Sequence, residues 1–194
     1  MHEILAIIAS LFFSIFILSP SFGIGLFDNA SYTVTQDNRS FLDVLSMLES
    51  SNDHTKVNTL GYIGKYQFGE SALIATGYYT KDSSVKNDWK GKWTGKSGIF
   101  SKEDFLSRPS LQDKVALEFT KINWQTAKRL GLDKYVGRTV RGIRVTNAAI
   151  LAGIHLKGVV AVKNFLKHSV DSSDAYGTEV SSYMKKLSNH TVSL

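Results

Sequence analysis

Between Ser110 and Gly131 the chain keeps a helical period over about five turns, with Leu111, Val115, Phe119, Ile122 and Leu130 on one face. An apolar stripe of this length is held in water mainly by what packs on it. The spacing therefore predicts a central core helix, and it requires other elements with apolar faces to cover it. Ser110 followed by Asp113 has capping-box spacing and predicts the start of this helix, and Gly131 predicts its end.

The covering elements are legible on both sides. Phe41, Leu42, Val44, Leu45 and Leu48 form a stripe in "FLDVLSMLESSNDH", and Ser40 with Asp43 again has cap spacing, so a first helix is expected over residues 40–49. "TNAAILAGIHLKG" and "VVAVKNFLKH" predict two apolar helices broken near Gly158, and "TEVSSYMKKL" predicts a short last helix from Thr178. Ser101 with Asp104 marks one more helix start. The stretch "VNTLGYIGKYQFGE" has three glycines and alternates Tyr62, Tyr66 and Phe68, which predicts a turn or short β-hairpin. Residues 81–100 are polar and rich in Gly and Lys, and they predict an irregular surface lobe anchored by Trp89 and Trp93. The expected class is mainly α (α+β).

With 194 residues, 43% of them hydrophobic, one ordinary core is expected, over residues 40–190. Residues 1–23 carry an apolar run from Ile4 to Leu18, then Pro20, Ser21 and Gly23 at cleavage-like spacing, and read as an export signal. His2 and Glu3 stand where Lys or Arg is usual, so an uncleaved membrane anchor is the alternative. Residues 24–39 follow as a polar lead-in without helical period. The expected location is the periplasm or cell envelope, or outside the cell.

The chain has no cysteine, which excludes disulfides, thiol catalysis and Cys-based zinc sites together. After residue 23 there are 23 Lys and Arg against 16 Asp and Glu. An exported protein of that balance suits a polyanionic partner, such as wall polymer or anionic head groups, or uses its charge for solubility alone. No nucleic-acid recognition motif or aromatic platform is present, so nucleic acid is not expected.

Nucleophile and metal signatures fail as well. Gly69-Glu70-Ser71-Ala72-Leu73 lacks the second glycine of a serine elbow, and there is no phosphate loop. His2, His54, His155, His168 and His190 never fall at ligand spacing, so neither metal nor other cofactor is expected. Glu49 stands apart. It lies four residues after Leu45 and eight after Phe41, at the edge of a core-facing stripe. Burial at such an edge raises a carboxyl's pKa and favours the protonated form that a general acid needs. A helix-terminal carboxylate bonded to Ser50, Ser51 or backbone amides is the competing structural reading.

In order along the chain stand Glu49-Ser50, then Gly64-Lys65-Tyr66-Gln67 in "GYIGKYQF", then "LAGIHLKGVVAVKNFL", then "SSYMKKL" with Tyr183. This set spans residues 41–187 and resembles the soluble lytic transglycosylases and related lysozyme-like peptidoglycan-cleaving enzymes. Their pattern runs from a helix ending in Glu-Ser to a glycine turn ending in Gln, an alanine-rich helix, and a lone Tyr on a terminal helix. The usual Ala-Tyr-Asn of the third motif is here Gly153-Ile154-His155, with His155 as the substitute hydrogen-bonding group.

The resemblance implies a lysozyme-like fold with a small β-hairpin lobe, peptidoglycan glycan strands as substrate, and Glu49 as the catalytic acid and base. It implies a 1,6-anhydro product formed by the sugar's own C6 hydroxyl. Ser50, Gln67, Tyr66, His155 and Tyr183 are the implied substrate-binding or positioning residues, with Tyr62 and Tyr66 as surfaces for sugar rings. Hydrolytic glycosidases use two carboxylates, ~5 Å apart for a nucleophile or ~6.5–9.5 Å apart to admit water. Asp53 and Glu70 are therefore the candidate second carboxylates of a rival reading as a muramidase. Their competing structural readings are a turn residue and a first-turn helix acid. A non-catalytic wall-binding or assembly protein of the same fold is the third reading. Wall remodelling, opening a path for an envelope-spanning secretion or conjugation machine, and attack on competitors would all use this chemistry.

Overall fold

The long amphipathic run forms a helix over Pro109–Arg129, α4 in chain order, in a computed structural model that describes residues 36–194. The expected export signal or anchor at 1–23 and the lead-in through residue 35 lie outside the described residues. α4 does not start from a Ser110 cap: Pro109 occupies the first turn and Arg108 precedes it without a side-chain cap bond. Proline suits that position, because its fixed φ is helical and its missing N–H is one the helix leaves unpaired anyway. Gln112, Val115, Ala116, Leu117, Thr120 and Ala127 are buried along α4.

About half of the described residues are helical, and the regular β structure is two two-stranded antiparallel sheets. The fold is thus mainly α with a small β component. α1 is Gln36–Ser50, so the helix begins before Ser40, and residues 36–39 of the expected lead-in belong to it. Neither Gly nor Pro between Gln36 and Ser40 stops the helix from reaching back. α2 is Glu70–Ala75, and β1 (Tyr79–Thr80) pairs with β2 (Lys92–Trp93) inside the glycine-rich lobe. α3, Lys102–Leu106, starts from a Ser101 cap that accepts from Asp104 N, as its spacing predicted. β3 (Thr139–Val140) and β4 (Ile143–Arg144) form a second hairpin, followed by α5 (Asn147–Lys157), α6 (Val159–His168) and α7 (Val180–Lys186).

Two neighbouring apolar clusters form the core. The first gathers Phe41, Leu42 and Leu45 of α1 with Leu73, Phe105, Val115 and Leu117. The second joins Ile143 and Val145 to Ile150 and Ile154 of α5, Phe165 and Leu166 of α6, and Val180 and Met184 of α7. Gly153 makes this second cluster close-packed: a Cβ there would meet Val162 Cγ2 at 2.8 Å and Met184 Cγ at 3.0 Å. Its lack of a side chain lets α6 and α7 approach α5. That approach brings α7, and Tyr183 with it, towards the end of α1.

Candidate active site

The end of α1 is fixed by its backbone. Ser51 and Asn52 both take positive φ, 58° and 65°, and Asn52 N–H donates back to Ser46 O at 3.1 Å. Such a closure satisfies carbonyls that the helix leaves open. Glu49 sits in this last turn with its side chain 15% exposed.

Tyr183, 4% exposed on α7, donates its phenol hydrogen to Glu49 Oε1. Burial, then the charge and hydrogen bond of Glu49, push this phenol's pKa far above its usual range. Tyr183 is therefore a fixed O–H donor at any physiological pH. Glu49 Oε2 has no protein partner among the described residues and is not sealed from solvent. One oxygen of the carboxyl is held, and the other makes no hydrogen bond among the described residues.

His155 comes from α5 with a side chain 11% exposed, and its Nε2 lies 2.8 Å from Tyr66 O. A carbonyl only accepts, so Nε2 carries the hydrogen and donates it there. The same nitrogen is 3.7 Å from Glu49 Oε1, an ion-pair distance if the imidazole is charged but beyond a hydrogen bond. Phe68 and Phe119 meet the His155 ring in T-shaped pairs, with centroids 6.4 and 6.3 Å apart.

The Gly64-Lys65-Tyr66-Gln67 turn is bolted to three helices around Glu49. Ser50 Oγ, buried, donates to Lys65 O at 2.8 Å and thereby ties α1 to the turn. Lys65 Nζ and Tyr66 Oη both reach Asp113 Oδ1, at 2.8 and 2.6 Å, which ties it to α4. The Tyr66 carbonyl ties it to α5 through His155. Gln112, fully buried, receives Lys65 N–H at 2.7 Å and donates to Phe105 O and His54 O. Gly64 has φ 77°, and a Cβ on it would lie 2.5 Å from Gln112 Oε1, so only glycine fits.

These contacts place the expected residues unevenly. Glu49, Tyr183 and His155 converge, and Ser50, next to Glu49 in sequence, is buried against the turn. Tyr66, expected on a sugar face, is 1% exposed and cannot stack on a ligand; its buried hydroxyl bonds Asp113, and burial with that bond raises its pKa far above its usual range. Tyr62 is the exposed member of the pair. Gln67 donates through Nε2 to Gly64 O at 2.9 Å within its own turn and to Lys56 O at 3.4 Å in the segment after α1. Gln112 and Asp113 were not singled out for the site, because only the fold brings them to residues 64–66.

Neither candidate second carboxylate bonds to Glu49, Tyr183 or His155 among the described residues. Asp53 is exposed, and its Oδ1 accepts from Thr55 N–H at 2.8 Å and Thr55 Oγ1 at 2.7 Å. Those bonds, the hydroxyl's first, hold its pKa below the usual carboxylate value of 3.8. It is a turn residue. Glu70 is the first residue of α2 and is 2% exposed. Its Oε1 accepts from Trp89 N–H at 2.6 Å, and its Oε2 is buried without a partner.

The lobe above Glu70 is largely irregular, as expected, and an aromatic cluster anchors it. Trp89 and Trp93 stack with centroids 5.7 Å apart, Tyr79 meets both edge-on, and Trp89 Nε1 donates to Gly61 O at 2.7 Å. The two tryptophans anchor the lobe instead of lining a groove. Comparison with known protein families, curated proteins and solved structures finds no match to this chain. Among the described residues no group of three or more His, Cys, Asp or Glu is placed to hold a metal ion.

Proposed function

We propose that the protein cleaves the β-1,4 glycan strand of peptidoglycan with Glu49 as its single acid and base, on a lysozyme-like fold and in the cell envelope. The observation that carries this reading is the asymmetry of the Glu49 carboxyl. Tyr183 occupies Oε1 as a permanent donor, while Oε2 has no hydrogen bond among the described residues. The oxygen that would carry and deliver a proton is thereby Oε2.

In the forward step, protonated Glu49 gives its hydrogen to the glycosidic oxygen as the C1–O bond breaks. In the second, the carboxylate takes the hydrogen of the C6 hydroxyl while O6 bonds to C1 and closes the 1,6-anhydro ring. The proton returns to Glu49, and no water is consumed. Tyr183 stabilises the carboxylate formed between the two steps, since its hydrogen bond strengthens when the acceptor is charged. The positions of Asp53, exposed and bound to Thr55, and Glu70, sealed under Trp89, support a one-carboxylate mechanism over hydrolysis with a second acid. No cofactor takes part.

Digestion of purified sacculi tests this. Wild type is expected to release muropeptides with anhydro ends, each one water lighter than a reducing end, and Glu49→Gln to release none. Reducing ends alone would indicate the muramidase, and equal clearing by wild type and Glu49→Gln a non-catalytic wall-binding protein.

A further inference from the structure

The net positive charge is concentrated in one part of the chain. Residues 36–122 hold 12 Lys and Arg against 11 Asp and Glu, whereas residues 123–194 hold 11 against four. Pairing follows the same division. Lys65, Lys90, Lys96 and Lys102 each have a carboxylate within 4 Å, but no Lys or Arg of 123–194 does among the described residues.

The β3–β4 hairpin displays this unpaired charge. Val140 pairs with Ile143 across a two-residue turn, and both turn residues, Arg141 (φ 48°) and Gly142 (φ 76°), take the left-handed conformation that such tight hairpins need. Ile143 and Val145 are buried beneath it, so the hairpin is anchored, while Arg138, Arg141 and Arg144 are exposed along it. Arg141 also lines a concavity of ≈ 470 Å³ whose other wall is α7, with Ser181, Ser182, Lys185 and Glu179.

This concavity is separate from the Glu49 site. On a helix, residues 181 and 185 share one stripe, and residue 183 points to nearly the opposite side. α7 therefore presents Tyr183 to Glu49 on one face and Ser181 and Lys185 to the concavity on the other, about 10 Å of helix apart.

We propose that the hairpin and the outer face of α7 form a second, non-catalytic site for a linear phosphate-bearing polymer outside the cell. Arg141, Lys185 and the hydroxyls of Ser181 and Ser182 are the donors in the concavity that can grip phosphate oxygens, beside the Glu179 carboxylate, and Arg138 and Arg144 extend the cationic run along the hairpin. A run of unpaired cations along a rigid hairpin suits repeated anions better than a single one. No aromatic side chain lines the concavity to stack a base, which argues against nucleic acid as the polymer.

Binding of labelled inorganic polyphosphate to the chain tests the site without any glycan or turnover, so its outcome is independent of the role of Glu49. The triple variant Arg141→Gln, Arg144→Gln, Lys185→Gln should weaken binding at least about ten-fold, and binding should weaken from low to physiological salt. A matched triple at exposed Lys81, Lys86 and Lys92, also to Gln, makes the same change in net charge and should leave binding within about two-fold. All six positions are exposed, and a melting curve for each variant confirms the fold. Equal losses in the two triples would reduce the site to net charge and overturn it, as would no loss in the first. Tighter capture by phosphatidylglycerol vesicles, a single-stranded oligonucleotide or poly-L-glutamate of equal charge would overturn the choice of polymer.

Discussion

Glu49 and Glu70 are both glutamates at helix termini, both largely buried and both held through Oε1 by a neighbour's hydrogen. They differ in the second oxygen. At Glu49 the partner is a phenol from α7, and Oε2 has no bond among the described residues and is not fully buried. At Glu70 the partner is the Trp89 backbone and Oε2 is shut inside the aromatic lobe. The difference teaches that burial alone does not separate a working acid from a structural one. On the proposed reading of Glu49, what separates the two is one oxygen left without a bond while the other is pinned, because proton transfer needs a free path and a fixed direction. Glu70 does local work: Trp89 has φ 58°, a conformation bulky residues rarely take, and the bonds to Glu70 and Gly61 hold it there.

The sharpest break of this comparison is at Glu49 itself. Glu49→Gln keeps the shape and an acceptor for Tyr183 but has no proton to give, and strand cleavage should fall about 10³-fold, within the range of general acid catalysis. Its melting temperature should stay close to wild type. A large loss of stability together with activity would place Glu49 beside Glu70 as a structural group.

Tyr183→Phe tests whether pinning Oε1 matters. A hydrogen bond to a charged group contributes about 1.5–3 kcal/mol, so the rate should fall roughly 10- to 100-fold with the acid still present. Unchanged turnover in a sacculus assay would remove the pinned oxygen from the mechanism.

Glu70→Ala should do the converse. The lost bond leaves the Trp89 N–H unpaired at a cost of about 2 kcal/mol, which lowers Tm by roughly 4–8 °C for a domain of this size. Activity per folded molecule below the transition should be retained. A rate loss like that of Glu49→Gln, at equal folding, would make Glu70 the second carboxylate of a hydrolase.

Most of the helical framework was legible, since its apolar runs are local and two boundaries carry their own signal, Ser101 and Gly158; α5, buried all round from Ala148 to Ile154, was read from its apolar run and not from a period. Starts were read less well. Ser40 and Ser110 have cap spacing but lie inside helices, where Pro109 and an unbroken polar lead set the true beginnings. The site divides in the same way. Glu49 was visible from its place on a stripe, whereas the Gln112–Asp113 clamp joins residues about 47 positions apart in sequence, and no local pattern marks such a pairing. Tyr66 was misjudged for the same reason, because its spacing matches a surface hairpin and its burial comes from α4.

The smallest effect is expected at Asp53, and it bears directly on how many carboxylates the reaction uses. In Asp53→Asn the amide oxygen can still accept from Thr55, so the turn survives and cleavage should stay within about two-fold of wild type. The charge leaves a mark only on acid stability. Asp53 has a folded pKa below its ordinary 3.8, so its contribution is present above that pH and is lost as pH falls through the lowered value. The melting temperatures of wild type and Asp53→Asn should therefore differ most near neutrality and converge below pH 3.8. Convergence with unchanged cleavage keeps Asp53 a turn residue. A rate loss approaching that of Glu49→Gln, with reducing ends vanishing from the products, would instead give the reaction its second carboxylate and make water the acceptor.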